Sequence, residues 1–155
     1  MTLATGDRLP DATLLEMRQD GPASVDLARL LAGRRVALFA LPGAFTGTCS
    51  NQHVPSFIRV ADRLREKGVD EIVCVAVNDP FVLGAWSEAT GAGKAGIRML
   101  GDVDGAFTRA MAMEFSLPAR GLVGRSKRYA LLADDGVVTV MNAETVPGRC
   151  EVSAG

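Results

Sequence analysis

The chain has 155 residues, of which 48% are hydrophobic, and its 17 basic and 18 acidic residues leave a formal net charge of -1. This length and composition predict one compact domain, residues 1–155, around one core. The charge balance predicts no basic face for nucleic acid, and no apolar stretch is long enough to span a bilayer, so we expect neither nucleic acid nor a membrane as partner.

Strand and helix patterns alternate along the sequence. In chain order they predict a strand at 12–17, a helix at 27–32, a strand at 36–41, a helix at 49–67, a strand at 71–77, a helix from the cap Asp79 to Thr90, a strand at 97–100, a helix at 105–113, and a hairpin of strands 129–133 and 137–141.

The second and third strands, with the helix between them, predict a βαβ unit with parallel strands and a right-handed crossover. Such a unit opens both flavodoxin-like and thioredoxin-like folds. The late antiparallel hairpin favours the latter, because flavodoxin-like chains keep alternating strand and helix. We therefore predict an α/β thioredoxin-like fold, with a mixed central sheet flanked by helices.

Cys49 lies between the apolar strand 36–41 and a helical pattern that ends at Gly68. The first turn of a helix presents unpaired backbone N–H groups and the positive end of the helix dipole, and both favour a thiolate. Its sequence neighbours Thr46, Thr48 and Ser50 carry hydroxyls, whereas a structural cysteine is usually flanked by apolar residues. We predict that Cys49 is a reactive nucleophile.

The segment around this cysteine, Pro42-Gly43-Ala44-Phe45-Thr46-Gly47-Thr48-Cys49-Ser50, resembles the peroxiredoxin active-site motif Pro-x-x-x-Thr-x-x-Cys, and in particular the peroxiredoxin 5 branch, also called type II. Further landmarks of that branch follow in order over nearly the whole chain: His53, Pro55, the run 74–82, Trp86 and the run 125–129. One departure is Gly47, where the branch commonly has proline.

The resemblance implies a thiol-dependent peroxidase that reduces hydrogen peroxide and organic hydroperoxides and needs no metal or other cofactor. Cys49 would attack the peroxide and become a sulfenic acid. Thr46 would hydrogen-bond the peroxide, although alone it is typical of a helix N-cap. Pro42 would shape the turn and shield the site from water, and Gly43 and Thr48 would help to bind the substrate.

Arg128 stands where the family has its active-site arginine, and a fixed guanidinium beside the sulfur would favour the thiolate. Without the resemblance, Arg128 would be interpreted as a surface residue of the basic cluster 125–128. Arg125 is a weaker candidate for a supporting role. His53 is the only histidine, and we predict a packing or hydrogen-bonding residue rather than the catalytic base.

The sequence leaves open what reduces oxidised Cys49. Cys74 lies in a predicted buried strand and is expected to be inert, although it is a possible resolving cysteine. Cys150 lies in a late loop near where some members of the branch carry their resolving cysteine, but in a shifted register. If neither thiol resolves, an outside thiol must do so, either glutathione with glutaredoxin or thioredoxin.

Two other functions are considered. A redox-sensing or chaperone-like thiol protein with slow turnover would keep the fold, whereas a disulfide oxidoreductase is disfavoured because Thr46 stands where the first cysteine of a Cys-x-x-Cys pair belongs. Three irregularly spaced cysteines and an amino terminus without a leader pattern predict a cytoplasmic protein. The resemblance also implies a homodimer, for which Phe45 and the segment 81–83 offer an apolar patch.

Overall fold

The computed structural model describes residues 3–145 and 150–155. Its strands are β1 (Thr13–Arg18), β2 (Gly21–Asp26), β3 (Arg35–Ala40), β4 (Glu71–Ala76), β5 (Ile97–Gly101), β6 (Glu114–Leu117), β7 (Leu122–Ser126), β8 (Tyr129–Asp134) and β9 (Val137–Ala143). Its α-helices are α1 (Leu27–Leu31), α2 (Val54–Glu66), α3 (Pro80–Thr90) and α4 (Ala106–Ala110), with a π-helical turn at Cys49–His53 and a 3-10 turn at Pro118–Arg120.

Seven of the strands form one sheet in the order β2-β1-β5-β4-β3-β8-β9. Strands β3, β4 and β5 run parallel, while β8 lies antiparallel to β3 and β1 antiparallel to β5. The predicted βαβ unit is therefore present, and so is the predicted mixed sheet. Strands β6 and β7 form a separate antiparallel ribbon.

The central strand β3 builds a core on both faces of the sheet. Val36 to Ala40 are all buried, and alternate side chains enter opposite clusters, with Leu38 on the face of α1 and Phe39 on the face of α2 and α3. Phe39 stacks on Phe57 of α2 with ring centroids 4.0 Å apart. Each such buried side chain contributes about 1.5–3 kcal/mol to folding. This packing fixes α2, and hence the turn that carries Cys49, against the sheet.

The structure differs from the sequence-based expectations chiefly at three places, and α4 is shorter than the helix predicted at 105–113. Strand β2 was not predicted, because Gly21 and Pro22 interrupt its pattern, yet it pairs with β1 along its whole length. The ribbon of β6 and β7 was also missed. The helix predicted at 49–67 begins with a π turn, and α2 proper starts at Val54. Among the described residues, no helix is long and apolar enough to cross a membrane.

Candidate active site

Cys49 opens the π turn that follows the loop after β3. The backbone N–H of Val54 donates to the Cys49 carbonyl, which is the wide spacing of a π turn and is common at functional sites. The indole Nε1 of Trp86 on α3 donates to Ser50 Oγ at 2.9 Å and anchors this turn to the neighbouring helix. The Cys49 side chain is fully buried. The fold thus holds the predicted nucleophile at a helix start, away from bulk water.

Arg128, immediately before β8, lies directly on the sulfur. Its Nη2 donates to Cys49 Sγ at 3.1 Å, and only 5% of the residue is exposed. Within the described part of the chain, no carboxylate lies within ion-pair distance of Arg128. A buried guanidinium without an anionic partner is costly. A thiolate at Cys49 would supply that anion, so Arg128 is placed to stabilise one at the sulfur.

His53 holds the other side of the guanidinium. Arg128 Nη1 lies 3.0 Å from His53 Nδ1, and the Ser153 carbonyl oxygen lies 3.0 Å from Nε2. A carbonyl only accepts and a guanidinium only donates, so Nε2 carries the proton and Nδ1 accepts from Arg128. Burial, reinforced by the Arg128 charge, lowers the pKa of His53 to about 3. The imidazole is neutral with its lone pair engaged, which is the arrangement of a hydrogen-bonding residue.

The loop from Pro42 to Ala44 is clamped from two sides. Arg125 Nη1 on β7 donates to the Pro42 carbonyl at 3.0 Å, and the Ala44 N–H donates to Asn78 Oδ1 at 2.9 Å. Pro42 and Gly43 are both buried. A Cβ at Gly43 would stand 2.3 Å from Arg125 Nη1, so a larger residue here would displace the Arg125 guanidinium from the loop. Arg125 thus contacts the loop directly, and its supporting role stays a prediction.

The hydroxyl proton of Thr46 is already used in a hydrogen bond. Its Oγ1 donates to the Gly43 carbonyl at 2.7 Å, so the lone pairs of this oxygen can accept a hydrogen bond from an O–H of a bound ligand. Phe45 beside it is exposed and has φ 60, the left-handed region that bulky residues rarely adopt. Thr48 is half-buried in the first turn directly before Cys49.

One polar atom at the site has no partner in the described part of the chain. Arg128 Nε is buried and makes no hydrogen bond there, although the other two nitrogens of this guanidinium are engaged by Cys49 and His53. A buried donor without an acceptor is uncommon in a folded protein. It offers a ready hydrogen bond to a ligand oxygen next to the sulfur.

The three cysteines are free. Cys74 is buried in β4, and this burial raises the pKa of its thiol well above the ordinary value. Cys150 is half-buried in the tail, and burial also raises the pKa of its thiol. Neither is activated as a nucleophile. Among the described residues, no group of His, Cys, Asp or Glu side chains gathers as a metal site.

Three residues that line or support the site were not assigned a role from the sequence. Asn78 holds the loop, Ser153 holds His53, and the Glu144 carboxylate accepts from Ser153. Asn78 could have been suspected, because it follows a buried strand that is parallel to the strand before Cys49. Ser153 acts through its backbone, for which a sequence carries no signal.

Comparison with known proteins gives consistent matches. A redoxin family model matches residues 4–154. The chain is 53% identical over 147 residues to Peroxiredoxin-2E-2, chloroplastic, of Oryza sativa subsp. japonica, which covers 92% of this chain and 65% of that protein. It is 48% identical over 156 residues to Peroxiredoxin-2C of the same plant, covering 97% and 96%. It is similar to the crystal structure of reduced Prx3 from Vibrio vulnificus in complex with hydrogen peroxide, with TM-score 0.90, 46% identity, and 99% and 94% of the two chains covered.

Proposed function

Because this chain belongs to the redoxin family and is similar to peroxiredoxins over most of its length, we propose that it is a thiol-dependent peroxidase acting on hydrogen peroxide and organic hydroperoxides. The family match confirms both the predicted peroxiredoxin 5 (type II) resemblance and the thioredoxin-like fold. The observation that carries the proposal is the 3.1 Å contact from Arg128 Nη2 to Cys49 Sγ, which stabilises a buried thiolate.

The proposed reaction begins with attack of the Cys49 thiolate on the terminal oxygen of the peroxide. An S–O bond forms as the O–O bond breaks, sulfur loses two electrons, and the peroxide gains them. The products are a cysteine sulfenic acid and an alkoxide or hydroxide, which takes a proton from solvent. Thr46 Oγ1 accepts from the peroxide O–H, and Arg128 Nε, which has no partner among the described residues, donates to the oxygen on which charge develops.

We propose that an outside thiol then reduces the sulfenic acid. Cys74 is buried in the sheet, and the Cys150 thiol is half-buried with a raised pKa, so neither is a ready thiolate. The outside thiol condenses with the sulfenic acid and releases water, and a second thiol then frees Cys49 from the mixed disulfide. Glutathione with glutaredoxin is the favoured donor, and thioredoxin is the alternative.

The test is peroxide consumption by the reduced protein with each donor system. Cys49→Ser should abolish turnover, because a hydroxyl does not ionise at neutral pH, while the matched Cys74→Ser should keep nearly normal activity. Rapid turnover by Cys49→Ser would reject the nucleophile. Wild-type protein that oxidises once but turns over slowly with both donors would favour a redox sensor instead.

Mass spectrometry after one equivalent of peroxide separates the two routes of resolution. A glutathione adduct on Cys49, formed when glutathione is present, supports the outside thiol. A linked peptide that contains Cys49 and Cys150, with the loss of two hydrogens, would overturn it and make Cys150 the resolving cysteine. The matched Cys150→Ser protein should then lose thioredoxin-driven turnover while its first oxidation stays intact.

Two further proposals concern the setting of the enzyme. We propose a homodimer that pairs through Phe45 and Phe81, which are 59% and 66% exposed. We also propose a cytoplasmic location, since free thiols suit a reducing compartment. The relatives include proteins named as chloroplastic and mitochondrial, so location differs within the family.

A further inference from the structure

The tail, residues 150–155, is tied to the end of β9 by one carboxylate. Glu144 Oε1 accepts from the Ser153 N–H and the Ser153 hydroxyl, both at 3.0 Å, and from the Glu151 N–H. Burial alone would raise the pKa of Glu144, but these hydrogen bonds outweigh it and lower the pKa below 4.5. The carboxylate is therefore charged at neutral pH, and it gathers three donors of one short segment.

Glu144 is also bonded to the backbone of Arg128. Its N–H donates to the Arg128 carbonyl at 2.9 Å. Ser153, held by the Glu144 carboxylate, accepts from His53 Nε2, and His53 Nδ1 accepts from the Arg128 side chain. The hydrogen bonds thus close a ring through Arg128, Glu144, Ser153 and His53. The tail is anchored a second time by the Gly155 N–H, which donates to Ser56 Oγ at 2.9 Å.

We propose that Glu144 is a positioning residue, which aims the Arg128 guanidinium at the Cys49 sulfur through Ser153 and His53. This inference deepens the proposed function and rests on it. The sulfur and His53 are the acceptors that hold the guanidinium among the described residues, since Nε is unpartnered there. When the contacts of Glu144 are removed and the tail detaches, His53 loses the Ser153 carbonyl that fixes its Nε2–H tautomer. The tautomer with Nδ1–H cannot accept from Arg128, so one of the two supports of the guanidinium is lost.

The hydrogen bonds of the ring favour a carboxylate, rather than a neutral side chain, at position 144. Three donors converge on one oxygen, and an anionic acceptor bonds them about twice as strongly as a neutral one. Glutamine has the same shape and one carbonyl oxygen in the same place, so it should keep the ring in weakened form. Alanine removes the acceptor altogether. A graded series of Glu, Gln and Ala is therefore expected, which loss of packing alone would not produce.

The primary test is the pH profile of Cys49 alkylation by iodoacetamide, followed on the peptide that contains Cys49. In Glu144→Ala the midpoint of the profile should rise by about one pH unit, so that alkylation well below the midpoint slows about tenfold. Glu144→Gln should lie between this variant and the wild type. The control Glu66→Ala removes an exposed carboxylate at the end of α2 and should leave the profile unchanged.

The second measurement reads the tautomer. His53 is the only histidine, so its two ring nitrogens give an unambiguous nitrogen spectrum by NMR. The wild type should show the Nε2–H form alone, and Glu144→Ala should show a mixture. If Glu144→Ala does not fold, deletion of residues 153–155 removes the Ser153 carbonyl while Glu144 stays, and the same two changes are expected.

Three outcomes would overturn the inference: an unchanged alkylation profile in a folded Glu144→Ala protein, a Gln variant as impaired as the Ala variant, or an unchanged tautomer. Neither readout needs peroxide turnover, so both stand if the protein proves not to be a peroxidase. A wild-type chain with the ring intact but no peroxide consumption would reject the proposed function and leave the positioning of Arg128 tested on its own.

Discussion

Replacing Arg128 by methionine tests the main electrostatic element of the site. Methionine keeps an unbranched, flexible apolar stem in the buried space, two atoms shorter than arginine, and removes both the charge and the donors. Two unit charges separated by 3.1 Å, the distance from Nη2 to Sγ, attract by about 5 kcal/mol at an effective dielectric constant of about 20. This is a ceiling, because solvent would enter the emptied space. Hydrogen bonds to charged groups contribute about 1.5–3 kcal/mol net, which is the range we adopt.

At about 1.36 kcal/mol per pH unit, that loss moves the midpoint of Cys49 alkylation upward by about one to two units. Below the midpoint, the thiolate fraction, and with it the rate of peroxide attack, falls by about ten- to a hundredfold. Stopped-flow oxidation by hydrogen peroxide and peptide-resolved alkylation, both across pH 5 to 9, give the two numbers. Circular dichroism checks that the fold is intact.

Two matched variants sharpen the test. Arg128→Lys keeps the charge but lacks the planar guanidinium that donates to Cys49 and His53 at the same time. Its alkylation midpoint and oxidation rate should therefore fall between those of the wild type and Arg128→Met. Arg59→Met removes an exposed positive charge from α2 and should change neither profile. A folded Arg128→Met protein with wild-type midpoint and rate would refute the reasoning, and it would leave the helix start as the sole source of thiolate stabilisation.

The remaining predictions concern stability, assembly and the helix start. His53→Gln should make the free energy of unfolding less sensitive to acid. In the wild type the pKa of His53 is about 3 when folded and near 6.5 when unfolded, so the unfolded chain binds a proton below pH 6.5 and the folded state loses stability. Urea unfolding of both proteins at pH 7 and pH 4 would show the difference. Phe81→Glu should convert the proposed dimer to monomer in sedimentation, and a wild type that sediments as monomer at high concentration would contradict it. Gly47→Pro should raise the free energy of unfolding by about 0.5–1 kcal/mol, because Gly47 is the first helical residue and proline suits that position. Thermal unfolding measures the change, and a lower melting temperature would count against the prediction.

The parts of the fold that the sequence predicted are those where one periodic signal dominates. Strand β3 is a continuous apolar run between turn residues, and the apolar spacing through Phe57 and Ala61 is that of a helix face. Strand β2 lacks such a signal, since its alternate residues are exposed and Pro22 lies within it; it forms because β1 offers a partner edge. Tertiary pairing, rather than local preference, decides such a strand.

The residues of the candidate site also differ in whether a local sequence signal could reveal them. Cys49 and Thr46 share one segment of chain, so a local motif could reveal them together. Arg128 is 79 positions from Cys49 in sequence, and its assignment depended on the family resemblance. The ring through Glu144 and Ser153 is closed by the main-chain carbonyl groups of Ser153 and Arg128, which leave no mark in the residue pattern. The prediction that residues 1–155 form a single domain stays a prediction.

Pro55 lies at the junction of the π turn Cys49–His53 and α2, and these two segments are expected to differ in cooperativity. Proline lacks an N–H, so no amide at position 55 can bond back into the turn that contains Cys49, and the Val54 amide already reaches to the Cys49 carbonyl. Segment 49–53 is held by side-chain contacts at Ser50 and His53. We expect it to open before α2, which packs on Phe39 through Phe57. Amides at 50–54 should exchange hydrogen by this local opening, and those in the middle of α2 only by global unfolding. We therefore predict that the turn that shelters the sulfur opens at a lower free energy than the whole fold, which hydrogen exchange at these amides would show.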